Sequence, residues 1–320
     1  MGILLDCLNG CLSYGMQRLP KLLLLIVTIA SNIQASQRYI TEEMASKFFQ
    51  QPRTVRIYLP PSYERDTQRK YPVLYLHDGQ NVFSFAGTNV AFGWGSWELD
   101  KTADQLSKEG KLQELIMVAV DNSGLGRYAE YCGAHHPEST STNTPYENYT
   151  AFLLQELKPK IDSQYRTRPE AAHTGAMGSS MGGIVSLILA WEHPEAFGRA
   201  ASLSGAFMVE KTNFLDNVLK PCKTKPKKSR VYLDSGVCDF MGGDDGRALT
   251  ESVAAELKRL GWGDELLLYV DLKPLSAEAL EKSGLRRDKW EEAQRSQHNE
   301  FYWRLRSWRP LTFLFASETQ

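Results

Sequence analysis

A five-residue turn constrains this chain more than any other feature: Gly178-Ser179-Ser180-Met181-Gly182, which fits the pattern G-x-S-x-G. Thr174–Met177 before it reads as a short strand, and Gly183–Glu192 after it reads as an apolar helix that ends at His193-Pro194. A serine on such a sharp strand-to-helix turn has its hydroxyl pushed above the edge of a sheet. Glycine on both sides lets the backbone crowd there without a Cβ clash. The next N–H, that of Met181, opens the helix and can point at a developing negative charge. The turn therefore demands a strand before it, a helix after it, and a sheet to stand on.

The rest of the chain supplies that sheet. Thr54–Leu59 alternates polar and apolar residues as a half-buried strand does, and Pro60-Pro61 ends it. Val73–Leu76 and Leu115–Val120 are short apolar runs, suited to strands covered on both faces. Ala200–Leu203, Val231–Leu233 and Leu266–Val270 read as further strands. Helical periodicity falls between them, over Leu99–Lys108, Asn148–Ile161 and Arg247–Leu260, and helical segments follow the last strand. Strands alternating with helices of this length predict βαβ units and a mainly parallel sheet with helices on both faces. In such sheets ligands bind beyond the carboxyl ends of the strands.

Composition narrows the function classes. Apolar residues make up 42% of the 320 and charged residues 23%, the balance of a globular protein. The net charge of -1 gives no general pull toward nucleic acid or anionic lipid. The five cysteines, Cys7, Cys11, Cys132, Cys222 and Cys238, contain no CxxC pair and no zinc spacing. A Cys222–Cys238 bridge stays open, since spacing supplies no geometry.

Residues 1–36 are expected to be a signal peptide or another N-terminal targeting segment. Arg18 and Lys21 precede the apolar run Leu22–Ala30, and small and polar residues follow it. The run is shorter than the ~20 residues a spanning helix needs. The expected location is secreted or periplasmic, with an N-terminal membrane anchor as the alternative. Residues 37–320 are then one catalytic domain with no stable membrane span after processing. Oligomeric state is not readable from the sequence.

A serine nucleophile needs a base near neutral pH and a group to orient it. His298 follows the last strong strand, and the chain order serine, acid, histidine favours it. The acid is expected after the strand Val231–Leu233, where Asp239 lies in the loop beyond Gly236. Asp234, Asp244 and Asp245 are the alternatives. The second donor of an oxyanion hole, beside the Met181 N–H, is expected from Gly79 or Gln80 in the loop after Val73–Leu76. His77 and Asp78 would brace that turn. Trp94, Trp97, Arg127 and Tyr131 fall in loops after strands and are candidates to line a substrate pocket.

Several segments in this order resemble one family. They are YPVLYLHDGQNVF at 71–83, Arg127 with Glu130-Tyr131, FLLQELKPKID at 152–162, and Tyr165-Arg166-Thr167. MGSSMGG at 177–183, HPEAFGRAASLSGAF at 193–207, VYLDSGVCD at 231–239 and HNEFYW at 298–303 complete the set. From about Thr54 to Phe315 the chain resembles the esterase family of α/β-hydrolases. That family includes enterochelin-esterase-like enzymes, feruloyl and acetyl-xylan esterases, S-formylglutathione hydrolases and mycolyltransferases. The resemblance implies an α/β-hydrolase fold and a serine carboxylic-ester hydrolase working through an acyl-enzyme. It implies a triad of Ser180, His298 and Asp239, with no metal and no cofactor. The implied partner is a small-molecule or glycan-linked ester. The charged stretch from Pro274 to Gln297 departs from the family pattern. Two other readings use the same residues: an acyltransferase that passes the acyl group to a sugar or lipid alcohol, and a silent binding protein on the same scaffold.

Overall fold

The computed structural model describes residues 38–132, 144–209, 212–223, 229–239 and 241–317. The expected targeting segment 1–36 lies outside the described residues. The chain divides into two units, residues 1–40 and 41–320, and everything said below of the site concerns the second.

The strands are β1 (Tyr39–Met44), β2 (Arg53–Tyr58), β3 (Val73–His77), β4 (Ile116–Val120), β5 (Thr174–Ser179), β6 (Arg199–Leu203), β7 (Met208–Val209), β8 (Thr212–Asn213), β9 (Arg230–Gly236) and β10 (Leu266–Leu272). Eight of them form one sheet in the order β1-β2-β4-β3-β5-β6-β9-β10, and β7 pairs with β8. From β4 to β10 every neighbouring pair is parallel, while β2 runs antiparallel to β4. Every residue of β3, β4 and β5 is buried, as a strand between two helical layers requires.

The helices are α1 (Leu99–Lys108), α2 (Arg127–Cys132), α3 (Pro145–Ala151), α4 (Lys158–Gln164), α5 (Met181–Glu192), α6 (Arg247–Arg259), α7 (Ala277–Lys282), α8 (Trp290–Arg295), α9 (Glu300–Arg306) and α10 (Trp308–Phe315). This is an α/β-hydrolase arrangement, a mostly parallel sheet flanked by helices. A π-helical stretch, Phe152–Leu157, joins α3 to α4. The helix expected from Asn148 starts earlier, at Pro145. There the Thr144 hydroxyl accepts from the Glu147 N–H, and the Glu147 carboxylate accepts from the Thr144 N–H. α5 is apolar on all sides and is buried from Gly182 to Ala190, so it forms the central strut beneath the sheet edge.

Because β3 to β6 and β9 run parallel, their carboxyl ends open on one edge. Asp78 follows β3, Asn122 follows β4, Ser180 follows β5, Ser204 follows β6 and Asp245 lies in the loop after β9. The charged stretch 274–297 folds as α7 and α8. Leu280, Leu285 and Ala293 of that region pack with Trp94, Phe301 and Tyr302. Cys132, Cys222 and Cys238 carry thiols rather than a bridge. Among the described residues no helix is long and apolar enough to cross a membrane.

Candidate active site

The Ser180 turn is held in a conformation that side chains rarely adopt. Ser180 has φ 54° and ψ -122° between β5 and α5. Such a backbone costs of order 1–3 kcal/mol and persists only where its surroundings enforce it. The enforcement is visible. The Ser180 N–H donates to Leu203 O at 2.9 Å, and the Ser180 carbonyl accepts from the N–H groups of Gly183, Ile184 and Ala206 at 3.0, 3.2 and 3.0 Å. The flanking glycines are needed for space. A Cβ on Gly178 would lie 2.6 Å from the Gly182 carbonyl carbon, and one on Gly182 would lie 3.1 Å from Asp78 Oδ2.

A second strained turn faces the first. Asp78 is left-handed at φ 57°, and Gly79–Asn81 forms a short 3-10 helix after it. A Cβ on Gly79 would meet backbone carbons of Ala119 and Val120 at 2.8 Å, so no other residue fits there. Asp78 is fixed from three sides. Arg127 donates through Nε and Nη2 at 2.6 and 2.7 Å, and Asn122 Nδ2 donates at 2.6 Å. The Asp78 N–H donates to the Tyr131 hydroxyl at 3.3 Å. His77 is bonded through Nδ1 to the Tyr149 hydroxyl at 2.7 Å, and burial pushes its pKa down to about 4. The N–H groups of Gly79, Gln80 and Met181 donate no hydrogen bond among the described residues.

His298 sits just before α9, whose first turn is capped by Asn299, its side-chain oxygen accepting from the Tyr302 N–H at 3.2 Å. The imidazole Nδ1 lies 2.6 Å from Asp245 Oδ1. The carboxylate that meets the ring is thus that of Asp245, one of the alternatives, and not that of the expected Asp239. Its backbone instead closes a tight turn, accepting from the Gly242 N–H at 3.0 Å while its own N–H donates to Gly243 O at 2.9 Å. That turn reverses the chain and delivers Asp245 to the ring. The carboxylates of Asp239 and Asp245 and the ring of His298 have ligating atoms within 4.8 Å of one another, but only Asp245 bonds the ring.

Asp245 is fully buried at its side chain and well supplied with donors. Its Oδ2 accepts from the Gly236 N–H at 2.7 Å and from the Ser204 hydroxyl. Burial alone would raise its pKa. The hydrogen bond from His298 and the nearby Arg306 and Ser204 outweigh burial and hold the carboxyl below its ordinary range. Arg306, itself buried, spans Asp234 at 3.1 Å and Asp245 at 3.8 Å and donates to Ser204 Oγ at 2.5 Å. Asp234 is a buried member of this network rather than the partner of His298. Its pKa is raised to about 6 by burial, against the pull of Arg306.

Ser180 and His298 line one cavity of about 680 Å³, together with Trp94, Trp97, Arg127 and Gln80. Tyr131 does not reach this cavity. It is fully buried beneath the Asp78 turn with its ring 5.3 Å from that of His77, so it braces the turn instead of lining the pocket. The sequence reading missed Asn122, Glu300, Trp303 and Phe92, which also line the cavity. The HNEFYW segment carries Glu300 two residues and Trp303 five residues after the histidine, which was the available signal for both.

A family model described as "Putative esterase" matches residues 46–306. The chain is 24% identical over 232 residues to the uncharacterized protein YbbA of Bacillus subtilis, covering 68% of this chain and 84% of that protein. Among solved structures, a ferulic acid esterase superposes with a TM-score of 0.61 at 18% identity, covering 87% of this chain and 97% of the other. The enterobactin esterase of Shigella flexneri also gives 0.61 at 18% identity. There 86% of this chain is covered, and this chain spans 58% of the length of the other.

Proposed function

From the premise that the chain belongs to the esterase family, and is by that membership a carboxylic-ester hydrolase, we propose that Ser180, His298 and Asp245 carry the reaction through an acyl-enzyme. The carrying observation is the 2.6 Å contact of His298 Nδ1 with Asp245, at a cavity that also holds Ser180 on its strained turn.

The chemistry follows from those positions. Asp245 accepts a hydrogen bond from the Nδ1–H, which fixes the tautomer and leaves Nε2 to act as base. His298 takes the Ser180 hydroxyl proton as Oγ attacks the ester carbonyl. The tetrahedral oxyanion is met by the N–H groups of Met181 and of Gly79 or Gln80. Collapse expels the alcohol, which receives the proton from His298. Water then attacks the acyl-enzyme with His298 again as base, releasing the acid and restoring Ser180. Loss of one oxyanion donor in such sites costs about 10²–10³ in kcat.

The substrate is a small-molecule or glycan-linked ester whose acyl or alcohol part lies against Trp94 and Trp97. Residues 1–36 serve as an export signal, on the strength of the Leu22–Ala30 run and its basic flank. Turnover of 4-nitrophenyl acetate by the full chain and by Ser180→Ala tests the assignment. The variant should retain the fold and lose turnover, and a variant that stays active would refute it.

A further inference from the structure

Of the three carboxylates that line the cavity, Glu300 alone has no lysine or arginine ion pair among the described residues. Asp78 is matched by Arg127 at 2.6 Å, and Glu292 is matched by Lys289 at 3.2 Å. Glu300 lines the same cavity, and its hydrogen-bond partner is the neutral amide of Asn81, Nδ2 to Oε1 at 3.3 Å. Among the described residues no lysine or arginine stands within ion-pair distance of it. The same cavity is lined by four aromatic side chains, Trp94, Trp97, Trp303 and Phe92, among polar ones. Trp97 and Trp303 have ring centroids 5.9 Å apart, and Phe92 projects at the mouth with 94% of its surface exposed.

Phe92 is held there by design of the backbone rather than by packing. Ala91 and Phe92 are consecutive left-handed residues at φ 51° and 57°. Two such residues in succession are costly, and a flexible loop would relax them. Phe92 is thus an exposed apolar ring on the rim of a cavity it helps to line.

We infer that the Glu300 carboxylate, in the cavity that Trp94, Trp97, Trp303 and Phe92 also line, is a subsite for a cationic ammonium group on the acyl or alcohol part of the ester. Aromatic faces attract an ammonium through the ring quadrupole, and the attraction is largest where water is excluded. The wall already shows this preference, since the Lys289 ammonium stands 4.7 Å above the Trp94 ring centroid. A sugar or polyol would also stack on tryptophan, but it leaves Glu300 uncompensated. An ammonium completes the charge balance.

Burial and the neighbouring Asp78 push the Glu300 carboxyl up to about 7, while Arg127 and His298 pull the other way. Glu292 is the remaining acidic group on the wall. A bound cation favours the ionised form, so binding strengthens as pH rises through about 7. A neutral ligand would show no such dependence.

The subsite rests on the hydrolase reading but is testable apart from it. Acetylthiocholine and its uncharged isostere 3,3-dimethylbutyl thioacetate differ in one charge. With the full chain at mildly alkaline pH, kcat/KM should favour the charged ester by about tenfold or more. Glu300→Gln should bring that ratio to within about threefold of unity, consistent with loss of one desolvated cation contact. In the unmodified chain, KM for the charged ester alone should rise as the pH falls below about 7, with titration of Glu300.

A ratio near unity in the unmodified chain, or a preference that survives Glu300→Gln, would overturn the subsite. If neither thioester is hydrolysed, the hydrolase reading fails by itself. Tetramethylammonium binding, followed by tryptophan fluorescence, then decides the subsite. Saturable binding lost in Glu300→Gln supports it, and no binding overturns it. Should that variant misfold by near-UV circular dichroism, Phe92→Leu at the exposed mouth serves instead. It should weaken tetramethylammonium binding several-fold, and unchanged binding counts against the subsite.

Discussion

His298 Nδ1 meets Asp245 Oδ1 at 2.6 Å across 53 residues of chain. The contact depends on the turn at Asp239–Gly243, which folds the loop after β9 back under the ring. It also depends on Ser204 and the Gly236 N–H, which occupy the other carboxylate oxygen. With both oxygens engaged, the carboxylate cannot swing away from the imidazole.

Asp245→Asn should therefore lower kcat by about 10³–10⁴, because an amide can hold the ring in the wrong tautomer. Asp239→Asn should stay within about threefold of the unmodified chain, in line with a turn-forming role. Steady-state hydrolysis of 4-nitrophenyl acetate by both variants separates them. The reverse pattern would return the role to Asp239.

Much of the site was legible because its signals are local. The Ser180 turn combines glycines, a strand and an apolar helix between Thr174 and Glu192, and the structure has each element where the pattern put it. The βαβ alternation likewise gave the parallel sheet, since burial on both faces leaves near-continuous apolar runs. The choice among Asp234, Asp239, Asp244 and Asp245 was not local. It depends on the path of a glycine turn, since one of the four aspartates lies in β9 and the other three in the loop after it. Tyr131 was misjudged for a similar reason. Its place under the Asp78 turn is fixed by α2 packing near His77 and Tyr149, a contact between distant segments.

Gly79→Ala should be destabilising by roughly 1–3 kcal/mol, the usual result of forcing atoms into a packed interior. The new Cβ would meet main-chain carbons of Ala119 and Val120 at 2.8 Å, and main chain cannot rotate aside. Urea unfolding should show a lower midpoint. Activity should fall too, as the Gly79 and Gln80 N–H groups shift from the oxyanion.

Arg306→Met should cost about 3–5 kcal/mol, since it removes the cation paired with the buried Asp234 carboxylate. Arg306 is buried between Asp234 and Asp245, with its two ion pairs at 3.1 and 3.8 Å. Without Arg306 the Asp234 carboxyl protonates above its present value of about 6, so the loss should shrink as pH falls toward 6. Chemical denaturation at two pH values reads both effects.

Glu300→Gln should raise the melting temperature at alkaline pH. The folded-state pKa of Glu300 is raised to about 7 from an ordinary 4.5, mainly by burial. A raised carboxyl favours the folded state while protonated, and that contribution is lost as pH rises through about 7. The variant's advantage should therefore appear above pH 7 and vanish toward pH 4.5. Thermal melts across that window measure it. A variant less stable at every pH would contradict the burial argument.

The account turns on Ser180 becoming covalently acylated. Rapid mixing with 4-nitrophenyl acetate, an acid quench and peptide mass analysis reads this directly. The account predicts one acetyl group on the peptide containing Ser180, absent in His298→Ala. Turnover without any acetylated peptide, or an acetyl group on a different side chain, would contradict it.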